Sequence, residues 1–299
     1  MVHFHQPPSN PSSPNDGVKL TRYPRSLVIR PPRSHLHSSQ QLHLTYHSTK
    51  SNKTLSNIQN IIHQIIHKHR SPIMNKPLTM YGYWRSQATY RLRVAMNLKN
   101  IPYNEIPINL DTGEQHQKDF LSKNPLGSVP ALLLDNPDTN EPTEPLTQSL
   151  AILEYLEEVY PDPPILPKSP IDRARVRSLA SIAVSDAHPL IVPRIRNYLR
   201  ENAGFSPEQW KEWQTKWFTT ALQGFEKRLV GDKRTGKFCH GDVPGMADIC
   251  LAGLVQGTRA FEIWVEGIPT VQRIVGECEE LEAFEKAKAM HQKDFPGKK

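Results

Sequence analysis

Apolar positions between residues 78 and 161 change period several times, and each change predicts an element. LTMYGY (78–83) is an apolar strand, a helical pattern runs from Ser86 to about Asn100, and YNEIPINL (103–110) is a second strand. Strand, helix and strand form a βαβ unit, whose strands are normally parallel with a right-handed crossover. A polar loop, DTGEQHQ (111–117), leads through a short helical piece to NPLGSVPALLLD (124–135), where Val129-Pro130 precedes the strand ALLLD. Proline is tolerated at a strand entrance where no ladder donor is needed. In TEPLTQSLAILEYLEEVYP (143–161), Gln148-Ser149 opens a helix with Leu150, Leu153, Leu156 and Val159 on one stripe. The proline-dense PDPPILPKSP (161–170) marks a domain boundary, and the pattern beyond it is helical at 171–184, 187–201, 206–230, 245–260 and 270–290. The prediction is a small α/β domain over 76–161 and an all-helical domain over 171–295.

Residues 1–73 lack sustained apolar periodicity and cannot bury enough surface to offset their ordering entropy, so they read as a disordered basic tail. The exception is TLSNIQNIIHQIIHKHR (54–70), with Leu55, Ile58, Ile61, Ile62, Ile65 and Ile66 on one helical stripe. His63 and His67 are spaced i,i+4 there, but no carboxylate lies nearby to complete a metal site, and a solvated polar face is the reading adopted. The tail is rich in Arg and Ser and nearly free of acids, which is transit-peptide composition. A second reading starts the protein at Met74.

Charge changes the picture only for the tail. The chain of 299 residues carries a net charge of +7, but nine Lys and Arg against one acid lie in 1–73, leaving 28 basic and 29 acidic residues in 74–299. The folded part is thus close to neutral, and a nucleic-acid role is not expected of it. No apolar run long enough to span a membrane occurs. Three irregularly spaced cysteines, Cys239, Cys250 and Cys278, fit buried thiols in a reducing compartment.

Candidate chemistry collects where strands end. The turn Arg85-Ser86-Gln87-Ala88-Thr89 joins the first strand to its helix, and the Val129-Pro130 corner and the Gln148-Ser149 helix start belong at the same sheet edge. A free backbone pair at Val129 suits an extended peptide, and the helix start at Gln148-Ser149 suits a carboxylate. Ser86 begins another helix, whose dipole and hydroxyl favour an anion. A small peptide with a carboxylate and a thiolate fits all three.

The βαβ–SVP–ββα layout with TQSLAILEYLEE, followed by a helical domain with GMADICLA, resembles a cytosolic glutathione transferase over about residues 76–295. Within that superfamily YWRSQATYRLRVAMNLKNIPY, INL and EQH resemble the zeta class, which includes maleylacetoacetate isomerase. The resemblance implies a thioredoxin-like glutathione-binding domain, a helical substrate domain and a homodimer. It implies a glutathione-dependent cis–trans isomerase acting in phenylalanine and tyrosine breakdown, in the cytoplasm, or in mitochondria if the tail is a transit peptide. A general transferase conjugating small electrophiles and a non-catalytic relative are the alternatives.

The resemblance makes Ser86 the catalytic residue, stabilising the thiolate of glutathione rather than attacking; a plain N-cap is its other reading. Gln87, Gln115, Val129, Gln148, Ser149 and His188 join Ser86 as glutathione contacts, with an interdomain histidine as the alternative for His188. Gln87 and Ala88 replace the usual Ser and Cys. Val192 stands where an Asn is usual, and Ala260 where an Arg clamps the substrate carboxylate. Arg85 and Arg259 are therefore the expected substrate-binding residues, with Arg194 and Arg196 as further candidates. Arg91 and Arg93 are read as structural or interface residues, and Asp248, three residues after a tolerated Gly245 N-cap, as a folding residue.

Overall fold

Strand β1 (Leu78–Gly82) runs into the predicted polar turn, and helix α1 (Gln87–Leu98) follows it. The computed structural model describes residues 77–134 and 143–297; the predicted tail, with its isoleucine stripe, His63 and His67, lies outside the described residues. β2 (Tyr103–Pro107) pairs parallel to β1, as the βαβ pattern predicts, with Leu78 opposite Tyr103. A 3-10 turn (Glu114–His116), the short α2 (Lys118–Leu121), β3 (Ala131–Leu133), β4 (Leu146–Thr147) and α3 (Ser149–Val159) complete the domain. The strand order is β2-β1-β3-β4, with β3 antiparallel to both neighbours, a thioredoxin-like mixed sheet.

Met80 and Leu132 from the sheet pack with Leu92 and Met96 of α1 and with Ile152, Leu153 and Leu156 of α3. The expected stripe on α3 needs one correction, because Val159 is 42% exposed while Ile152 and Tyr160 are buried. At about 100° per residue, a strict three-residue spacing drifts about 60° each step. By Val159 the row has turned to the opposite face from Leu150.

The proline-dense segment is fastened to the small domain. Ile165 and Leu166 are buried, and their N–H groups donate to the Glu157 carboxylate at 2.9 and 3.2 Å. Lys99 Nζ completes this knot, bonding Glu157 at 2.9 Å and the carbonyls of Tyr160 and Pro163.

The remainder is helical: α4 (Pro170–Ser181), a π turn (Ile182–Ala187), a 3-10 turn (His188–Leu190), α5 (Pro193–Ala203), α6 (Pro207–Leu229), α7 (Met246–Ala260), α8 (Pro269–Glu279) and α9 (Glu282–Glu285). Two predicted helices are interrupted. The 187–201 pattern becomes α-helical only at Pro193, since Pro189 and Pro193 have no N–H to give. The 270–290 pattern breaks after Glu279, where Leu281 is extended. Cys278, Leu281 and Phe284 share one core, so their spacing imitates a continuous helix.

At the start of α7, Asp248 accepts from the N–H groups of Gly245 at 2.9 Å and Cys239 at 2.8 Å, holding helix and loop together. Glycine replaces the usual hydroxyl cap for a steric reason: a Cβ at Gly245 would stand 2.9 Å from the Ile165 carbonyl oxygen. Among the described residues no helix is long and apolar enough to cross a membrane.

Candidate active site

Sheet register builds the site. Ala131 lies opposite Tyr81 on one side and Thr147 on the other. The end of β1, the start of β3 and the end of β4 therefore share an edge, from which the Ser86 turn, the Val129-Pro130 corner and Gln148-Ser149 emerge. The Val129–Pro130 bond is cis. Among the described residues no backbone–backbone hydrogen bond uses the Val129 N–H or C=O.

Ser86 caps α1: its Oγ accepts from Thr89 N–H at 3.2 Å. Cap and catalytic readings do not compete, because the cap uses a lone pair and leaves the O–H free to donate. No acceptor among the described residues takes that hydrogen. Several groups lock the turn around it. Tyr83 O–H and Arg85 Nη2 both donate to Asp111, the latter at 2.6 Å. Burial, then the bond to Asp111, pushes the Tyr83 phenol up to about 12, so it stays a donor. Arg93 binds the carbonyls of Trp84 and Tyr83 at 3.2 and 3.0 Å, and Glu105 fixes Arg93.

The other predicted contacts are distributed unevenly. Gln148 sits at φ 68°, a region that a non-glycine residue seldom occupies, which often marks a functional turn. Ser149 is buried, and its Oγ accepts from Arg91 Nε at 3.1 Å, so its hydroxyl hydrogen is also available. The buried Oε1 of Gln115 has no hydrogen-bond partner among the described residues. Gln87 is turned toward the helical half: a Cβ at Gly257 of α7 would lie 2.0 Å from its Nε2. Its side chain occupies the space that Gly257 leaves open.

His188 is half-buried beside two cations. Desolvation first, then the charges of Arg91 and Arg194, hold its pKa well below 6.5, so the ring is neutral. All three thiols are buried, and burial pushes each up, Cys250 to about 12. None is poised as a thiolate.

The candidate arginines separate clearly. Arg259 pairs through both Nη atoms with Glu279 and lines a cavity of about 310 Å³ with Leu222, Val255 and Ile263. That cavity includes no residue of the Ser86 turn. Arg85 stays at the turn, stacked over Tyr83 and Trp84, with its charge shared by Asp111. Arg196 turns to Asn197. Arg194 is exposed, next to His188 electrostatically, and paired with no carboxylate among the described residues.

Arg91, expected as a structural or interface residue, is internal. It is 1% exposed, bonded to Ser149, and its Nη1 has no partner among the described residues. Helix α1 is buried from Gln87 through Met96, so an arginine at any position there had to be internal; that was the available signal.

A thioredoxin-like sheet edge with a serine-led helix, an X-Pro corner and a Gln-Ser helix start, set against an all-helical half, defines a glutathione-binding class of protein. The glutathione S-transferase N-terminal domain profile matches residues 76–158. The chain belongs to the glutathione transferase family, in its zeta class of maleylacetoacetate and maleylpyruvate isomerases. It is 37% identical over 214 residues to the maleylacetoacetate isomerase of Rhizobium meliloti, covering 72% of this chain and 97% of that one. It is also 37% identical over 218 residues to a Ralstonia maleylpyruvate isomerase, covering 73% and 99%. Among solved structures, the maleylacetoacetate isomerase of Methylobacterium extorquens AM1, with bound malonate and glutathione, aligns with a TM-score of 0.68 at 47% identity, covering 72% and 97%.

Proposed function

We propose that this protein is a glutathione-dependent cis–trans isomerase of maleylacetoacetate, forming fumarylacetoacetate in phenylalanine and tyrosine breakdown. The pathway, a cytoplasmic location and a homodimeric state rest on the family likeness. One observation carries the chemical reading: free donors gather at one sheet edge, with the Ser86 hydroxyl among them.

The residues fit glutathione. Ser149 and the start of α3 suit a carboxylate. The unpaired N–H and C=O of Val129 suit an extended peptide backbone, and the Gln115 Oε1 can accept from an amide. When bound, glutathione supplies the thiolate that adds to the cis double bond and leaves after rotation. Ser86 donates its O–H to the sulfur while capping α1, so hydroxyl and helix dipole both favour the anion. Arg194 is the available cation for the carboxylate of a maleyl substrate. Neutral His188 adds no charge and can donate or accept.

A second reading, conjugation of small electrophiles, is favoured by Ala260 and by the commitment of Arg259 to Glu279. Isomerisation of maleylacetone and maleylpyruvate by the full chain, with and without glutathione, separates the two. Glutathione-dependent loss of the cis compound is expected, and Ser86→Ala should lower turnover by about 10²-fold, as when one oxyanion-hole donor is lost. Binding of glutathione without isomerisation would favour conjugation.

A further inference from the structure

The segment after α9 returns to the catalytic turn. Asn97 Nδ2, near the end of α1, donates to the Ala283 carbonyl at 2.9 Å, which anchors α9 there. Phe284 is fully buried beside it. The chain then passes through the Ala289–His291 turn, where buried Gln292 gives its Nε2 to the carbonyls of Lys286 and Lys288 at 2.9 and 2.7 Å. Two residues on, Asp294 Oδ2 accepts the backbone N–H of Trp84 at 3.0 Å. The Phe295 ring meets the Trp84 ring edge-on, with centroids 5.2 Å apart. Residues 283–295 thus span α1 from its C-terminal end to the turn that precedes it.

Trp84 is two residues before Ser86, and its other attachments come from within the small domain. Its carbonyl is held by Arg93, and Ser86 N–H donates to the Tyr83 carbonyl at 3.0 Å. Asp294 supplies the partner for the Trp84 N–H from 210 positions away in the chain. The Ser86 Oγ direction depends on the backbone torsions of residues 84–86, and a displacement of about 1 Å at a reacting group can cost about 10²-fold in rate.

We propose that Gln292–Phe295 is a strap that sets the geometry of the catalytic turn, with Asp294 as a positioning residue for Ser86. This rests on the reading that Ser86 holds the thiolate. The strap binds no substrate; it fixes the angle at which the Ser86 hydroxyl meets the sulfur. Its removal should therefore act on the thiol and on turnover more than on glutathione affinity, which the Val129 and Ser149 contacts maintain.

The test uses the full chain and four variants: Asp294→Ala, Asp294→Asn, Phe295→Ala and Ser86→Ala. Each is measured for kcat and KM with maleylacetone, for glutathione affinity, and for the pH at which bound glutathione shows thiolate absorbance. Asp294→Ala should lower kcat about tenfold or more, raise the thiol titration toward that of Ser86→Ala, and change glutathione affinity less than about threefold. Asp294→Asn should recover most of kcat, because its amide oxygen can accept the same N–H. Phe295→Ala, which keeps the carboxylate, should lower kcat by a smaller factor. An Asp294→Ala protein with wild-type kcat and thiol titration overturns the proposal. So does one that loses thermal stability while its thiol titration stays unchanged. If Asp294→Ala fails to fold, Phe295→Ala and Asp294→Asn decide by the same two readouts. A thiol titration unaffected by Ser86→Ala would instead remove the reading of Ser86 itself, and the strap's role with it.

Discussion

Arg91 and Arg93 stand two residues apart on one helix and are 1% and 0% exposed, yet they live in different electrostatic surroundings. Arg93 gives Nε and Nη2 to the two oxygens of Glu105, at 2.8 and 2.5 Å, and also binds two carbonyls of the Ser86 turn. Arg91 gives Nε to a neutral hydroxyl, and its Nη1 has no partner among the described residues. Burial pushes the Arg91 pKa down, with no carboxylate among the causes to offset it. Burying a charge is costly unless an anion and hydrogen bonds compensate. The difference teaches what each arginine serves. One completes the fold; the other sits behind Ser149, where a ligand carboxylate would complete it.

The largest expected effect comes from breaking the satisfied member. Arg93→Met strands the Glu105 carboxylate, 13% exposed, and frees the Tyr83 and Trp84 carbonyls. The loss should be about 3–5 kcal/mol, as when one partner of a buried pair is removed. Urea denaturation measures it, and a loss below about 1 kcal/mol would make the two arginines equivalent after all.

Arg91→Met should do the reverse. Removing an uncompensated cation should leave the stability of the ligand-free protein within about 1 kcal/mol of wild type, while glutathione loses a charge-assisted contact of about 1.5–3 kcal/mol. That corresponds to a rise of about tenfold to 10²-fold in the KM for glutathione. Thermal unfolding with and without glutathione, beside steady-state kinetics, checks both halves. A variant that unfolds like Arg93→Met would show that Arg91 is a fold residue.

Legibility in the sequence followed the same division. Elements whose signal is local were readable: the βαβ unit from its periods, α6 from the helical pattern over 206–230, and the Ser86, Val129 and Ser149 edge from strand ends. What stayed hidden was set by distant partners. Nothing local to Arg259 announces that Glu279 will take its charge, and nothing local to Arg91 distinguishes it from Arg93. The partner of Arg93 lies 12 residues away on β2, whereas Arg91 reaches Ser149 across 58 residues. The same limit hid Asp294, whose partner at the turn is further away still. Helix breaks were misread where apolar spacing crossed them, as at Leu281.

A smaller effect is expected at the third arginine. Arg259 is 51% exposed as a side chain, and pairs of that kind contribute about 0–1 kcal/mol. Arg259→Ala should change stability by no more than that and should leave KM for maleylacetone unchanged, whereas Arg194→Ala should raise it. Equal kinetic losses in the two variants would return Arg259 to the substrate site.

The finest test reads the positive field of Arg91 through its neighbour. His188 has a folded pKa well below the ordinary 6.5, through burial and then through Arg91 and Arg194. Between those two values the unfolded chain carries a proton at this position and the folded protein does not. Stability therefore falls as pH drops below about 6.5, and this contribution vanishes above it. His188→Gln cannot be protonated, so its urea midpoint should change less than wild type between pH of about 7.5 and about 5.5. Arg91→Met should also flatten the curve, but only in part, because it removes one cation and leaves burial and Arg194 in place. An Arg93→Met curve keeping the wild-type slope, displaced to lower stability throughout, would confine the field to Arg91. If all three variants retain the wild-type slope, the acid sensitivity lies elsewhere and the two arginines do not differ in the field they project.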